Sequence, residues 1–232
     1  MAGRSLLLEL QRCQQDKRPR ESATVIGVAT KLRLIAFAPR NILQNTRDFP
    51  GLADLLAGSR GNLSVDTYST AAAFQAGLAD ESKGALVTLV SSHGKWVKEK
   101  KDKEDKEDKL AFQLYSGREK LQDRQNSLPA IRSNGVVINA CNVLDENQTL
   151  PPLLQTAVHG RAWTAGRGFV QRQHVVWHAE QLLNRLGQLN SPHDALEAML
   201  EVDSILAARR EQYRKNRDYV QPWRDIWSRP TI

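Results

Sequence analysis

Two short strings in this chain end in side chains able to do covalent chemistry. Leu89-Val90-Ser91-Ser92-His93-Gly94 delivers an imidazole followed by glycine, and Val136-Val137-Ile138-Asn139-Ala140-Cys141 delivers a thiol preceded by alanine. Each begins as a run of strand-forming residues. A thiol is a few per cent ionised at neutral pH and becomes a stronger nucleophile when an imidazole takes its proton. The same imidazole, once protonated, can hand that proton to a departing amine. Glycine after the histidine permits close backbone approach, and its N–H can aim at a developing oxyanion. The expectation is therefore Cys141 as nucleophile, His93 as acid and base, and the Gly94 and Cys141 amides as an oxyanion hole. Small Ala140 leaves room for a substrate backbone.

Each string alone has an ordinary reading. Cysteine is commonly a small buried hydrophobe, and a His-Gly pair after a strand is commonly a turn. What favours chemistry is the coincidence of both, each closing a strand that reads as buried.

The elements around them follow from the pattern. Apolar or alternating runs predict strands at 32–38, 63–68, 85–90, 110–115, 135–139 and 161–165. Between and after them, helices are predicted at 49–57, with Asp48 as N-cap and Gly58 as stop, and at 70–78. Further helices are expected at 121–131, at 151–157 with proline in the first turn, at 175–189 and at 194–213. Strands alternating with helices imply an α/β fold: a mostly parallel central sheet of about six strands, covered by helices on both faces. Ligands collect beyond the carboxyl ends of such strands. His93 and Cys141 both stand there, with one short strand and one helix expected between them.

Composition sets the remaining bounds. The chain has 232 residues, 41% hydrophobic and 25% charged, which are values of a globular protein with a real core. No apolar run approaches the roughly 18 residues of a spanning helix, and the apolar stretch near the N-terminus is too short for a signal peptide. No membrane association and a cytoplasmic location are expected, with Cys13 and Cys141 as free thiols. No cofactor or metal is expected. His174 and His178 have the i,i+4 spacing of a helical metal pair but lack an intervening Glu and an equal third ligand, so they read as helix surface or core edge.

The net charge of +7 gathers at the ends: residues 1–40 hold eight basic and three acidic groups, and residues 207–232 hold seven and three. Basic ends can touch phosphates, which leaves open a basic, noncatalytic α/β protein that contacts nucleic acid. No aromatic or glycine-rich nucleic-acid motif accompanies them, so nucleic acid is not the expected partner. Residues 98–109 are twelve consecutive charged residues, six lysines against six acids, and read as a solvated surface insertion. The organisation expected is an N-terminal extension over 1–30 and one domain over 31–232. That domain carries the insertion at 98–109 and a C-terminal helical region from 191.

A strand ending in Ser-His-Gly, followed 48 residues later by a strand ending in Ala-Cys, resembles the caspase-like cysteine peptidases: caspases, metacaspases and the bacterial CHAT-type proteases. The resemblance covers roughly residues 32–190 and departs from many relatives at Asn142-Val143-Leu144, where they carry a serine or glycine-rich continuation. It implies a three-layer caspase-like sandwich and a cysteine endopeptidase acting on a protein or peptide. It also implies a separate sensor or activator protein and a role in regulated proteolysis in bacterial defence or cell death. By the same resemblance Arg40, Arg47 and Arg167 are the candidates for a pocket taking an acidic side chain. Asp48 and Asp145 are the candidates for the opposite preference. A catalytically silent caspase-like binding module has the same sequence features.

Overall fold

The computed structural model describes residues 30–80, 83–98, 110–144, 149–165, 173–187, 195 and 197–202. Along the chain run β1 (Thr30–Phe37), α1 (Leu52–Gly58), β2 (Leu63–Tyr68), α2 (Ala71–Ala79), β3 (Ala85–Ser91), β4 (His93–Lys98) and β5 (Leu110–Ser116). They are followed by β6 (Glu119–Gln122), β7 (Ser133–Asn139), α3 (Pro152–Gln155), β8 (Ala162–Ala165) and α4 (Gln173–Leu186).

Five strands form a parallel sheet in the order β2-β1-β3-β7-β8. The inner strands are apolar on both faces because both faces are covered. Ile35, Phe37, Val90, Val136 and Ile138 point into one core with Phe74 and Leu78 of α2 and Leu153 and Leu154 of α3. Leu32, Leu34, Val87, Leu89 and Val137 point into the other with Leu52 of α1 and Val175, Ala179, Leu182 and Leu186 of α4. Helical residues 197–202 extend the second core through Ala198, Met199 and Val202. An α/β fold with a mostly parallel sheet and helices on both faces is thus what the chain adopts.

Three details differ from the sequence expectation. The parallel sheet has five strands among the described residues, not about six, because β5 leaves it for a separate antiparallel sheet of order β4-β5-β6. The helix expected over 121–131 is absent. Leu121 and Gln122 end β6, the backbone turns with Arg124 at φ 63°, and Leu128 and Ile131 reach the core from irregular chain. The apolar spacing is real, but a strand and an extended run bury it in place of a helix. Finally, Asp48 does not cap α1; Gly51 does, at φ 79°, a left-handed conformation suited to glycine. The Asp48 backbone N–H instead donates to Asn45 Oδ1 at 3.2 Å, while its carboxylate accepts from Asn45 Nδ2 at 3.0 Å.

One link between the small sheet and the body is a carboxylate that carries no sequence signal. Asp123 is buried, and its oxygens accept the Phe112 N–H of β5 at 2.8 Å and the Leu153 N–H of α3 at 2.7 Å. A charged acceptor holding two buried backbone donors is among the stronger hydrogen-bonding arrangements. Asp123→Ala would leave both donors unsatisfied, and each such loss costs about 1–3 kcal/mol. The expected result is a destabilisation of about 3 kcal/mol in urea denaturation, with Asp123→Asn, which keeps one acceptor oxygen, recovering part of it.

Candidate active site

β3 and β7 are neighbours in the parallel sheet, and Ser91 pairs with Asn139. The ladder carries one residue further, through the Ser92 N–H donating to the Asn139 carbonyl at 3.2 Å. His93 and Cys141 each stand two positions past that last pair. They therefore leave adjacent strands at one level of one edge, which is the arrangement expected from the sequence. The refinement is that His93 does not end β3; after Ser92 it opens β4. Both residues are part-exposed, whereas Gly94 and Ala140 beside them are buried.

The two backbones touch. A Cβ placed on Gly94 would overlap the Cys141 carbonyl oxygen and come within 2.9 Å of the Phe112 ring and 3.3 Å of the Ala140 Cβ. The glycine of the His-Gly pair is therefore a requirement of close approach to the cysteine. Past the cysteine, Asn142 takes a left-handed conformation at φ 53° and turns the chain, with Val143 and Leu144 returning to the core. The Trp96 indole N–H donates to the Asn142 carbonyl at 2.8 Å and so fixes that turn to β4. On the other side, the His93 ring lies face to face with Tyr115 of β5, its direct cross-strand partner, at 4.9 Å between centroids and 17° between planes. The Lys95 ammonium sits 4.8 Å from the centre of the Tyr115 ring. Trp96 and Tyr115 escaped the sequence reading, because nothing before the structure shows that 93–98 pairs with 110–116.

The chain matches no protein-family model and no curated protein. The site therefore rests on its own geometry.

The proposed specificity residues are placed unevenly. Arg40 lines a shallow pocket of about 220 Å³ at the carboxyl ends of β1 and β2, together with Pro39, Asn41, Thr67 and Ser69. It lies on the same edge as the His–Cys pair, on the far side of β3 from Cys141. Arg47 is exposed in the segment before α1 and does not line this pocket. Asp48 is engaged with Asn45 as described. Arg167 and Asp145 lie outside the described residues, as do Cys13, the charged run beyond Lys98 and most of both basic ends. The flanks of that run, Lys98 and Leu110, pair directly across β4 and β5. The insertion therefore joins two antiparallel neighbours.

Among the described residues no group of three or more His, Cys, Asp or Glu could hold a metal, and no helix is long and apolar enough to cross a membrane. His174 and His178 are buried, on the α4 side of the sheet. Burial pushes His178 down to about 3, with His174 adding to the effect, and burial pushes His174 down to about 4.

Two expectations follow. Gly94→Ala forces backbone apart at the site and should destabilise by about 2 kcal/mol, or roughly 4–8 °C in thermal melting. A melting temperature equal to wild type would contradict the contact. For the histidines, the unfolded chain takes up a proton near pH 6.5 while folded His178 stays neutral to about 3, so stability is full above that range and falls as pH drops through it. Between pH 7.5 and 5 the His178 contribution is a loss of about 2 kcal/mol, measurable by denaturation at each pH, and His178→Phe should remove that part of the slope while His174 retains its own.

Proposed function

We propose that this chain is a cysteine endopeptidase in which Cys141 and His93 act as a dyad. The observation that carries the reading is the packing of the Gly94 backbone against the Cys141 carbonyl, at an edge where His93 and Cys141 each follow one of two adjacent parallel strands by two residues. Partial exposure of both side chains gives a polypeptide access.

The chemistry runs as follows. His93 accepts the thiol proton as the Cys141 sulfur bonds to the scissile carbonyl carbon, and the carbonyl oxygen gathers negative charge facing the Gly94 and Cys141 amides. The C–N bond breaks as the imidazolium gives its proton to the amine, leaving a thioester on Cys141. Water then attacks the thioester with His93 as base, releasing the acid and restoring the thiol.

A parallel sheet with helices on both faces, and a small antiparallel sheet between the histidine and cysteine strands, is compatible with the caspase-like resemblance. On that reading the substrate is a protein or peptide, the activator is a separate protein, and the setting is regulated proteolysis in bacterial defence or cell death. Arg40 is then the described residue placed to receive an acidic substrate side chain. β1 lies two strands from β7, about 10 Å, a span that an arginine and a substrate side chain can close between them.

A peptide library incubated with wild type and with Cys141→Ala tests the assignment. Cleavage by wild type alone is expected, with Arg40→Gln lowering turnover of peptides carrying Asp or Glu before the scissile bond about tenfold relative to neutral ones. Equal cleavage by wild type and Cys141→Ala would remove the thiol from the mechanism.

A further inference from the structure

In the dyad read above, His93 must present one ring nitrogen to the Cys141 sulfur and hold that orientation while a proton moves each way. An imidazole on the first residue of an exposed-edge strand has two side-chain torsions to restrain, and sequence neighbours do not restrain them. Ser92 and Gly94, the flanking residues, are too small to pack on the ring. A restraint comes from across the sheet.

Tyr115 is the residue directly opposite His93 in the β4–β5 ladder. Its ring lies 4.9 Å from the imidazole at 17°, an almost parallel stack that fixes the imidazole plane and leaves only in-plane freedom. Tyr115 is itself held. It is half-buried, follows buried Leu114 and precedes buried Ser116, pairs with Lys120 of β6, and carries the Lys95 ammonium 4.8 Å from its ring centre. That cation is attracted by the ring and covers it. The strand that carries the stack is anchored to the body, since β5 is tied to α3 through Asp123.

We infer that Tyr115 is the positioning residue of the site: its ring face orients the His93 imidazole toward Cys141, so that the antiparallel sheet supplies the third member of the constellation. The inference rests on the dyad reading. The restraint comes from the aromatic face, with no part taken by the hydroxyl, so phenylalanine should serve in its place.

The test uses the full chain and iodoacetamide near neutral pH, with alkylation of Cys141 and Cys13 resolved by peptide mass spectrometry. His93→Ala should slow alkylation of Cys141 about tenfold and Tyr115→Leu about fivefold, while Tyr115→Phe stays within about twofold of wild type. The rate at Cys13 should not change in any variant. In the wild-type protein the His93 ring C–H resonances should be shifted upfield by the tyrosine face, a shift kept in Tyr115→Phe and lost in Tyr115→Leu. If His93→Ala alkylates at the wild-type rate, the dyad fails and the inference with it. If His93→Ala is slow but Tyr115→Leu matches wild type, the dyad stands and the positioning role is overturned. Unshifted His93 resonances in wild type overturn it without any variant.

Discussion

The site depends above all on the register between β3 and β7. Ser91 opposite Asn139 brings the imidazole and the thiol out at one height, each two residues further along its own strand. A slip of one residue would displace Cys141 along the strand by about 3.3 Å and turn its side chain to the opposite face. Because both strands are buried on both faces, alternation of apolar and polar residues cannot set this register. Packing sets it instead: Val87 and Gly135 are paired near the start of the two strands, and Met199 lies against Gly135, where a Cβ would meet its sulfur. Residues remote in sequence from the site thereby set the relative backbone positions of His93 and Cys141.

The antiparallel sheet is the second constraint, and it acts as a bracket. β4 touches the cysteine segment twice, through the Gly94 backbone and the Trp96 indole, and β5 backs the histidine with Tyr115. Trp96 in turn packs edge-on against Phe112 at 5.4 Å, so the bracket is continuous with the core. This arrangement also explains how the chain tolerates so polar an insertion between His93 and Cys141. The charged run connects strands already paired up to Lys98 and Leu110, and the entropy of closing such a connection grows only slowly with its length.

The parallel sheet was legible in the sequence because strands covered on both faces are written as near-continuous apolar runs, as in 85–90, interrupted only by Thr88, and in the shorter 136–138. The nearness of His93 and Cys141 at one edge of the sheet was legible for the same reason, since each stands just past such a run. β4 and β6 were not. His93-Gly94-Lys95-Trp96-Val97-Lys98 has no strict alternation, and Glu119-Lys120-Leu121-Gln122 holds one apolar residue in four. What makes them strands is pairing with β5, a non-local interaction that propensity does not contain. The helix expected at 121–131 failed through the same blindness: Leu121, Leu128 and Ile131 are core residues as a helical stripe would require, but Asp123 is drawn inward by two backbone donors that only the fold brings near. Likewise Arg40 and Arg47 are alike as sequence and both exposed, and only the placement of the loops brings Arg40 to the pocket.

The stretch around the thiol shows how local strain and global packing are balanced. Ala140, Val143 and Leu144 are 1%, 0% and 5% exposed, so the chain is buried on either side of Cys141 and Asn142 and surfaces only at those two residues. Surfacing for so short a span demands a tight turn, and Asn142 makes it at φ 53°, a conformation that disfavours a non-glycine residue by about 1 kcal/mol and that asparagine tolerates better than most. The hydrogen bond from Trp96, in the range of about 1 kcal/mol net, offsets that strain, and the burial of Val143 and Leu144 more than compensates for it. The consequence is a part-exposed thiol on a turn whose neighbours Ala140, Val143 and Leu144 are buried in the core. A thiol on a loop without such flanks would be as exposed but would lack the two anchors present here, the buried residues on either side and the Trp96 hydrogen bond to the turn.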